Sequence, residues 1–201
     1  MSAPALTSCA AAPARNVVAL NRRLVLLAPL GVAVAGGAAF WAMLDRMQQG
    51  RFDPRGLPSM LVGRPLPSFS LPGLAPRAGF SSADLQAPPQ PVLVNFFASW
   101  CVPCVMEVPQ LTALQARGVP IWGIVYKDKR AAAATFLEQH GDPYARIGVD
   151  EPGQVAIDFG VYGVPETYLV DKSGIVRWRW AGPLTDELVS QQLDPLLKAY
   201  S

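Results

Sequence analysis

The feature that most constrains this chain is a buried-strand pattern followed at once by two cysteines and a helical pattern. Val92–Phe97 reads VLVNFF, which is apolar except for one asparagine and is typical of a central strand in a sheet. Residues 99–109 read SWCVPCVMEVP, so only two residues separate Cys101 from Cys104. The apolar positions that follow recur at helical spacing until Gly118. The cysteine pair is therefore predicted at the junction of a central strand and a helix N-terminus.

The later segments predict an α/β fold with a central sheet flanked by helices. Strands are expected at Phe69–Leu71, Ile121–Tyr126, Thr167–Val170 and Ile175–Trp180, and helices at Ala131–His140 and Thr185–Tyr200, the last with a break at Pro195. The order is βαβ, then a β-hairpin, then a helix, which is the pattern of an α/β architecture.

The N-terminal part has a different composition. Residues 24–44 form a run of 21 residues without a charged side chain, long enough for a helix to cross a bilayer. Cleavage after Ala33-Val34-Ala35 is an alternative, but it would leave an apolar N-terminus, so an uncleaved anchor is favoured. We predict a cytoplasmic tail at 1–23, a transmembrane signal anchor at 24–44, a proline-rich tether at 45–62 and a folded domain at 63–201.

The charge of the predicted domain argues against nucleic-acid binding. Residues 45–201 hold 14 basic and 15 acidic side chains, and no cluster of basic and aromatic residues stands out. We therefore expect no nucleic-acid partner.

A pair of cysteines with this spacing can exchange electrons, hold a metal or form an inert staple. At a helix N-terminus, free N–H groups and the helix dipole stabilise a thiolate, so Cys101 is expected to be the exposed nucleophile. Cys104, one turn further, would be shielded and would resolve a mixed disulfide. A structural zinc site needs four ligands, but Cys9 is expected on the other side of the membrane and His140 has no partner at a suitable spacing. The residues therefore favour a redox-active pair that binds no metal. A metal site and an inert disulfide remain the two alternatives.

Three stretches carry a resemblance to a known family: VLVNFFASWCVPC, VYKDKRAAAATFLEQHGDPY and DFGVYGVPETYLVDKSGIVRWRWAGPL. From about Gly63 to Tyr200 the chain resembles the thioredoxin superfamily. Within it, the chain resembles the membrane-anchored periplasmic thiol:disulfide oxidoreductases of cytochrome c maturation, the CcmG/DsbE type.

The resemblance implies a thioredoxin-like domain on the periplasmic side of a bacterial inner membrane. Its redox-active disulfide would be Cys101–Cys104, with no other cofactor. A membrane thiol protein would donate electrons, and apocytochrome c or its assembly proteins would be reduced. Two alternatives are a broader periplasmic reductase and a copper-handling thiol chaperone, although the second would require a further soft ligand near the pair.

The resemblance also assigns supporting residues. Thioredoxins usually carry a buried aspartate where this chain has Asn95, so another group must help to deprotonate Cys104. Glu107 is expected to do so, because it lies three positions further on the same helix face. The alternative role for Glu107 is a solvated carboxylate in the first turns of the helix, where the helix dipole favours a negative charge. Glu166 is the second candidate, with partner recognition or plain surface charge as its alternatives.

Three further expectations follow for the region around the dithiol. Pro165 matches the cis-proline loop that presents an extended substrate strand, and Trp100 should either cover the disulfide and contact partners or pack in the core.

No Lys, Arg or His occurs in residues 99–109, and Glu107, with Glu166 adding to it, should oppose a thiolate by like-charge repulsion. The pair is therefore predicted to be a reductant, with a potential nearer thioredoxin's value of about −270 mV than the roughly −120 mV of a periplasmic oxidant.

Overall fold

The computed structural model describes residues 22–48 and 60–201, and the chain divides into the units Met1–Asp53 and Pro54–Ser201. In the first unit, the described residues form helix α1, Arg22–Gln48. Within the described part of the chain, no helix combines the length and the apolar character needed to cross a membrane. The anchor expected at 24–44 therefore stays a prediction. Most of the predicted tail and tether lies outside the described residues.

The second unit is built on a mixed sheet of five strands. Two short strands, β1 (Ser70–Leu71) and β2 (Phe80–Ser81), form a separate antiparallel pair. The five strands are β3 (Val92–Phe97), β4 (Ile121–Tyr126), β5 (Arg146–Asp150), β6 (Glu166–Val170) and β7 (Val176–Ala181), in the order β5-β4-β3-β6-β7. Strands β3, β4 and β5 are parallel, whereas β6 and β7 are antiparallel to their neighbours. All six side chains of the central β3 are buried, as its apolar sequence predicts.

Helices cover both faces of this sheet. They are α2 (Val102–Ala116), α3 (Arg130–His140), α4 (Gln154–Phe159), α5 (Asp186–Leu188) and α6 (Asp194–Tyr200), and a π-helical segment, Val189–Leu193, joins α5 to α6. A break in the last helix was predicted at Pro195, and the structure shows the π-helical segment just before it. Pro195 itself lies in the first turn of α6, where a backbone N–H has no helical partner, so its missing N–H costs no hydrogen bond.

The sheet separates two hydrophobic cores. Successive side chains of a strand point to opposite faces, so Leu93 and Phe97 enter one core while Phe96 enters the other. The first core also contains the inner faces of α2 and α3, and we call this side of the sheet the α2 face. The opposite face carries β1, β2 and α4. This α/β arrangement agrees with the fold that the resemblance implied, and it places the start of α2 directly after the central strand.

Candidate active site

Cys101 and Cys104 lie where β3 ends and α2 begins. Their sulfurs are bonded at 2.06 Å. Cys101 caps α2, and its sulfur accepts a hydrogen bond from the Cys104 backbone N–H at 3.1 Å. Pro103 occupies the first turn, where a backbone N–H would have no helical partner in any case. The predicted junction of strand, cysteine pair and helix is thus confirmed.

The prediction that Cys101 is exposed is wrong for this oxidised structure. Cys101 is 3% exposed and Cys104 is 2% exposed, and both belong to the core on the α2 face. The disulfide joins Cys101 to Cys104, which lies on the buried face of α2. Three exposed apolar side chains lie around the pair in sequence: Trp100, Val102 and Met106. The buried disulfide is therefore flanked in sequence by exposed apolar side chains.

The loop that leads into Cys101 is tied to the segment after β4. The Ser99 backbone N–H donates to Asp128 Oδ2 at 2.6 Å. Trp100 is 57% exposed, and its indole Nε1 donates to the Lys127 carbonyl at 3.4 Å. The alternative that Trp100 packs in the core is therefore wrong, and its indole is available on the surface next to the disulfide.

Glu107 is fully buried beneath the cysteine pair, so the alternative of a solvated carboxylate is wrong. Its Oε1 accepts from Asn95 Nδ2 at 2.9 Å, and its Oε2 accepts from the Leu184 backbone N–H at 3.2 Å. Burial raises the pKa of Glu107 from its ordinary 4.5 to about 8, because the charged form loses its water, although both hydrogen bonds favour ionisation. A carboxyl with this pKa, one helical turn from Cys104, can exchange a proton near neutral pH.

Asn95 is the centre of a buried polar cluster on the α2 face. Its amide nitrogen donates to Glu107 and also to Thr167 Oγ1, the latter at 3.0 Å. Its amide oxygen accepts from the Tyr144 hydroxyl at 2.7 Å. Tyr144 and Thr167 were not identified from the sequence, because they meet Asn95 only through the folding of the sheet and the loop after α3.

The Val164–Pro165 peptide bond is cis, as the resemblance implies. Pro165 is buried, and its carbonyl accepts from the Gly182 backbone N–H at 2.9 Å. Val164 packs against the same core that contains both cysteines. The proline loop thus borders the core beneath the disulfide, while its role in presenting substrate stays a prediction.

Glu166 lies on the other side of the sheet, so its predicted repulsion of a thiolate is wrong. In the register of β3 with β6, Glu166 pairs with Phe96, whereas Thr167 pairs with Asn95. Paired residues point to the same face, so Glu166 faces away from the cluster around Glu107. It is buried, which also excludes plain surface charge, and its carboxylate forms an ion pair with Arg179 at 2.5 Å that balances its charge.

No group of three or more His, Cys, Asp or Glu side chains suited to a metal ion occurs among residues 22–48 and 60–201.

The chain is similar in sequence to known thiol:disulfide interchange proteins. A model of the AhpC/TSA family matches residues 62–179. The thiol:disulfide interchange protein DsbE of Escherichia coli (strain K12) is 41% identical over 180 residues, which cover 90% of this chain and 97% of that protein. HelX of Rhodobacter capsulatus, also a thiol:disulfide interchange protein, is 41% identical over 178 residues, which cover 89% of this chain and 97% of HelX.

A solved structure gives the same result for the fold. A thiol:disulfide interchange protein of the thioredoxin family from Chlorobium tepidum TLS matches with a TM-score of 0.54 and 28% identity, covering 68% of this chain and 94% of that chain. The predicted thioredoxin-like α/β fold is confirmed by these matches.

Proposed function

Because the chain belongs to the family of DsbE- and HelX-type thiol:disulfide interchange proteins, we propose that it reduces protein disulfides during cytochrome c maturation. The chain is a thiol:disulfide oxidoreductase, and the proposal concerns its direction, its partners and its location. The proposed substrates are apocytochrome c or its assembly proteins, and the proposed electron donor is a membrane thiol protein. We place the domain in the periplasm, and the uncharged run at 24–44 supports an anchor in the inner membrane.

The observation that carries this proposal is the cysteine pair at the head of α2 with a buried carboxyl one turn away. In the reduced protein, the Cys101 thiolate is stabilised by the free N–H groups of the helix N-terminus. It attacks one sulfur of the substrate disulfide and forms a mixed disulfide. The other substrate sulfur leaves as a thiolate and takes a proton from water.

The second step requires a deprotonated Cys104, and Glu107 is the proposed proton acceptor. Cys104 transfers its proton to the Glu107 carboxylate, then attacks the Cys101 sulfur of the mixed disulfide. The bond between Cys101 and the substrate breaks, the second substrate thiolate is released, and the Cys101–Cys104 disulfide forms. Two electrons have then moved from the dithiol to the substrate, and the donor must return two electrons before the next cycle. No cofactor beyond this disulfide is proposed.

Two features near the pair support the proposed direction of electron flow. No cation lies in residues 99–109 to stabilise a thiolate further. A carboxylate at Glu107 and a thiolate at Cys104 would repel each other, so ionisation of either group opposes ionisation of the other. This raises the thiol pKa, stabilises the reduced form less, and makes the pair a better reductant.

Trapping of mixed disulfides in cells that assemble c-type cytochromes tests this function. Cys104→Ser keeps the nucleophile but cannot resolve, so it should accumulate adducts with proteins that carry the haem-attachment motif C-x-x-C-H or with haem-assembly proteins. Cys101→Ser is the matched control and should trap neither. Adducts spread over exported proteins without that motif would support the broader reductase instead, and equal trapping by both variants would contradict the assignment of the two cysteines.

A further inference from the structure

A chain of buried hydrogen bonds leads from Tyr144 to the carboxyl beneath the cysteine pair. The Tyr144 hydroxyl donates to Asn95 Oδ1 at 2.7 Å, and Asn95 Nδ2 donates to Glu107 Oε1 at 2.9 Å. Tyr144 is 2% exposed, while Asn95 and Glu107 are fully buried. Bulk water does not reach these groups, so each depends on its protein partners for hydrogen bonding.

The Tyr144 ring is held in one position by its surroundings. It stacks on Phe97, with 4.8 Å between ring centroids and 15° between ring planes. Gly123 lies opposite Asn95 in the register of β3 with β4, and a Cβ there would come within 3.0 Å of the Tyr144 ring. The Tyr144 backbone N–H also donates to Asp142 Oδ1 at 3.1 Å. The absent side chain at Gly123 thus provides the space in which Tyr144 delivers its hydroxyl to Asn95.

The orientation of the Asn95 amide matters because its two ends have opposite chemistry. An ionised carboxylate only accepts hydrogen bonds, so Glu107 is stabilised as an anion only when the amide nitrogen faces it. The amide oxygen then faces Tyr144 and needs a donor. Burial holds the pKa of Tyr144 well above its ordinary value, so its hydroxyl keeps the proton that it donates. The hydroxyl is therefore suited to fix the amide with its nitrogen toward Glu107.

We propose that Tyr144 is a positioning residue of the active site, which acts through Asn95 to set the protonation of Glu107. The inference rests on the function proposed above, in which Glu107 accepts the proton of Cys104. Without the Tyr144 hydroxyl, the Asn95 oxygen loses its donor, and only the bonds from Nδ2 to Glu107 and Thr167 still orient the amide. The hydrogen bond from Asn95 to the Glu107 carboxylate then weakens, so the ionised form of Glu107 is stabilised less than before. The midpoint of the Glu107 titration therefore moves to higher pH.

The direct test is a titration of the Glu107 carboxyl in the oxidised full-length protein with Tyr144→Phe. Carbon-13 NMR of glutamate labelled at the carboxyl follows the midpoint, and the Glu107→Gln spectrum identifies the signal. We expect an upward shift of roughly half a pH unit to one pH unit, the size that loss of part of a charged hydrogen bond gives. The pH midpoint of disulfide reduction should move in the same direction.

Tyr168→Phe is the matched control, since it also removes a buried tyrosine hydroxyl. That hydroxyl donates to Glu166 on the opposite face of the sheet, so the Glu107 titration should not change. Site-specific replacement of Tyr144 by 3,5-difluorotyrosine keeps the ring and strengthens the donor, and it should lower the midpoint even if Tyr144→Phe folds poorly. Opposite shifts for the two Tyr144 replacements support the inference.

An unchanged midpoint with both Tyr144 replacements, or an equal shift with Tyr168→Phe, overturns the inference. Failure of the proposed function has a different signature. In that case the Tyr144 replacements shift the Glu107 titration, which supports the positioning role, while Glu107→Gln leaves the pH dependence of disulfide reduction unchanged.

Discussion

Replacing Glu107 with glutamine should change how the stability of the oxidised protein depends on pH. Burial raises the pKa of Glu107 to about 8 in the folded protein, against an ordinary 4.5 that applies when the chain is unfolded. Between these values the unfolded chain releases the proton while the folded protein keeps it. The unfolded state then binds fewer protons, so the free energy of unfolding falls as pH rises through this window. Below 4.5 and above 8 the contribution is constant.

The size of this effect follows from the two pKa values. They differ by about 3.5 pH units, and at about 1.4 kcal/mol for each unit the loss of stability reaches about 5 kcal/mol above about pH 8. Glu107 is fully buried, so solvent screening does not reduce this value. Glutamine carries no titrating proton and should abolish the dependence. At low pH glutamine should be the less stable residue, because its NH2 end must face one of the two N–H donors that now bind the carboxyl.

Denaturant unfolding measured from about pH 5.5 to about pH 8.5 tests this prediction. Cys9 should be alkylated in every sample so that it cannot exchange with the disulfide. Across this range, the stability of Glu107→Gln relative to the unchanged protein should rise by about 3 kcal/mol. The matched control is Glu138→Gln on α3, whose side chain is exposed and should add no such dependence. A constant difference in the free energy of unfolding between Glu107→Gln and the unchanged protein would show that Glu107 does not titrate with a raised pKa in the folded state.

Two other predictions concern neighbouring parts of the fold. Arg179→Met should lower the free energy of unfolding by about 3–5 kcal/mol, because it leaves the buried Glu166 carboxylate without its ion pair, and adding Glu166→Leu should recover much of the loss in denaturant unfolding. The absence of any recovery would argue against the ion pair as the cause. Trp100→Ala should leave stability within about 0.5 kcal/mol while slowing the reduction of a protein disulfide more than that of a small disulfide, measured as kcat/KM for each. Equal slowing of both substrates would argue against a role for the exposed indole in binding partners.

The two central strands could be predicted from the sequence, and their bounds agree with the structure. β3 and β4 are each six residues long and largely apolar, with turn signals at both sides, so local pattern was sufficient. β5 and α4 were missed. β5 (RIGVD) begins with an arginine and contains a glycine. Its Ile147 and Val149 backbone N–H groups donate to the carbonyls of Ala78 and Pro72, more than 60 residues earlier in the chain. α4 has only six residues, too few for a helical period to be recognised.

Some residues of the candidate site can be recognised from local sequence, whereas others are brought to the site only by the fold. Cys101 and Cys104 are marked by their spacing alone. The burial of Glu107 also had a local signal that was not used, since Glu107, Leu111 and Leu114 follow the buried stripe of α2 at intervals of four and three. Tyr144 had no such signal, because 49 residues separate it from Asn95 and only the fold joins them.

Glu166 shows the limit of an inference from neighbouring residues in sequence. It follows Pro165 directly, so it was expected to act on the dithiol. The face on which it lies depends on the antiparallel register of β6 with β3, which a single sequence does not specify. A shift of one residue in that register would have placed Glu166 on the α2 face with Glu107.

The central claim is that the Cys101–Cys104 pair donates electrons, and its redox potential tests this most directly. The full-length protein is equilibrated with mixtures of oxidised and reduced dithiothreitol or glutathione, and the fraction of disulfide is measured after thiol labelling, with Cys9 blocked beforehand. We expect a potential near that of thioredoxin, about −270 mV, and a less reducing potential for Glu107→Gln, because removal of the carboxyl stabilises the thiolate. A potential above about −180 mV would show that the pair is not a reductant and would indicate that the protein forms or isomerises disulfides.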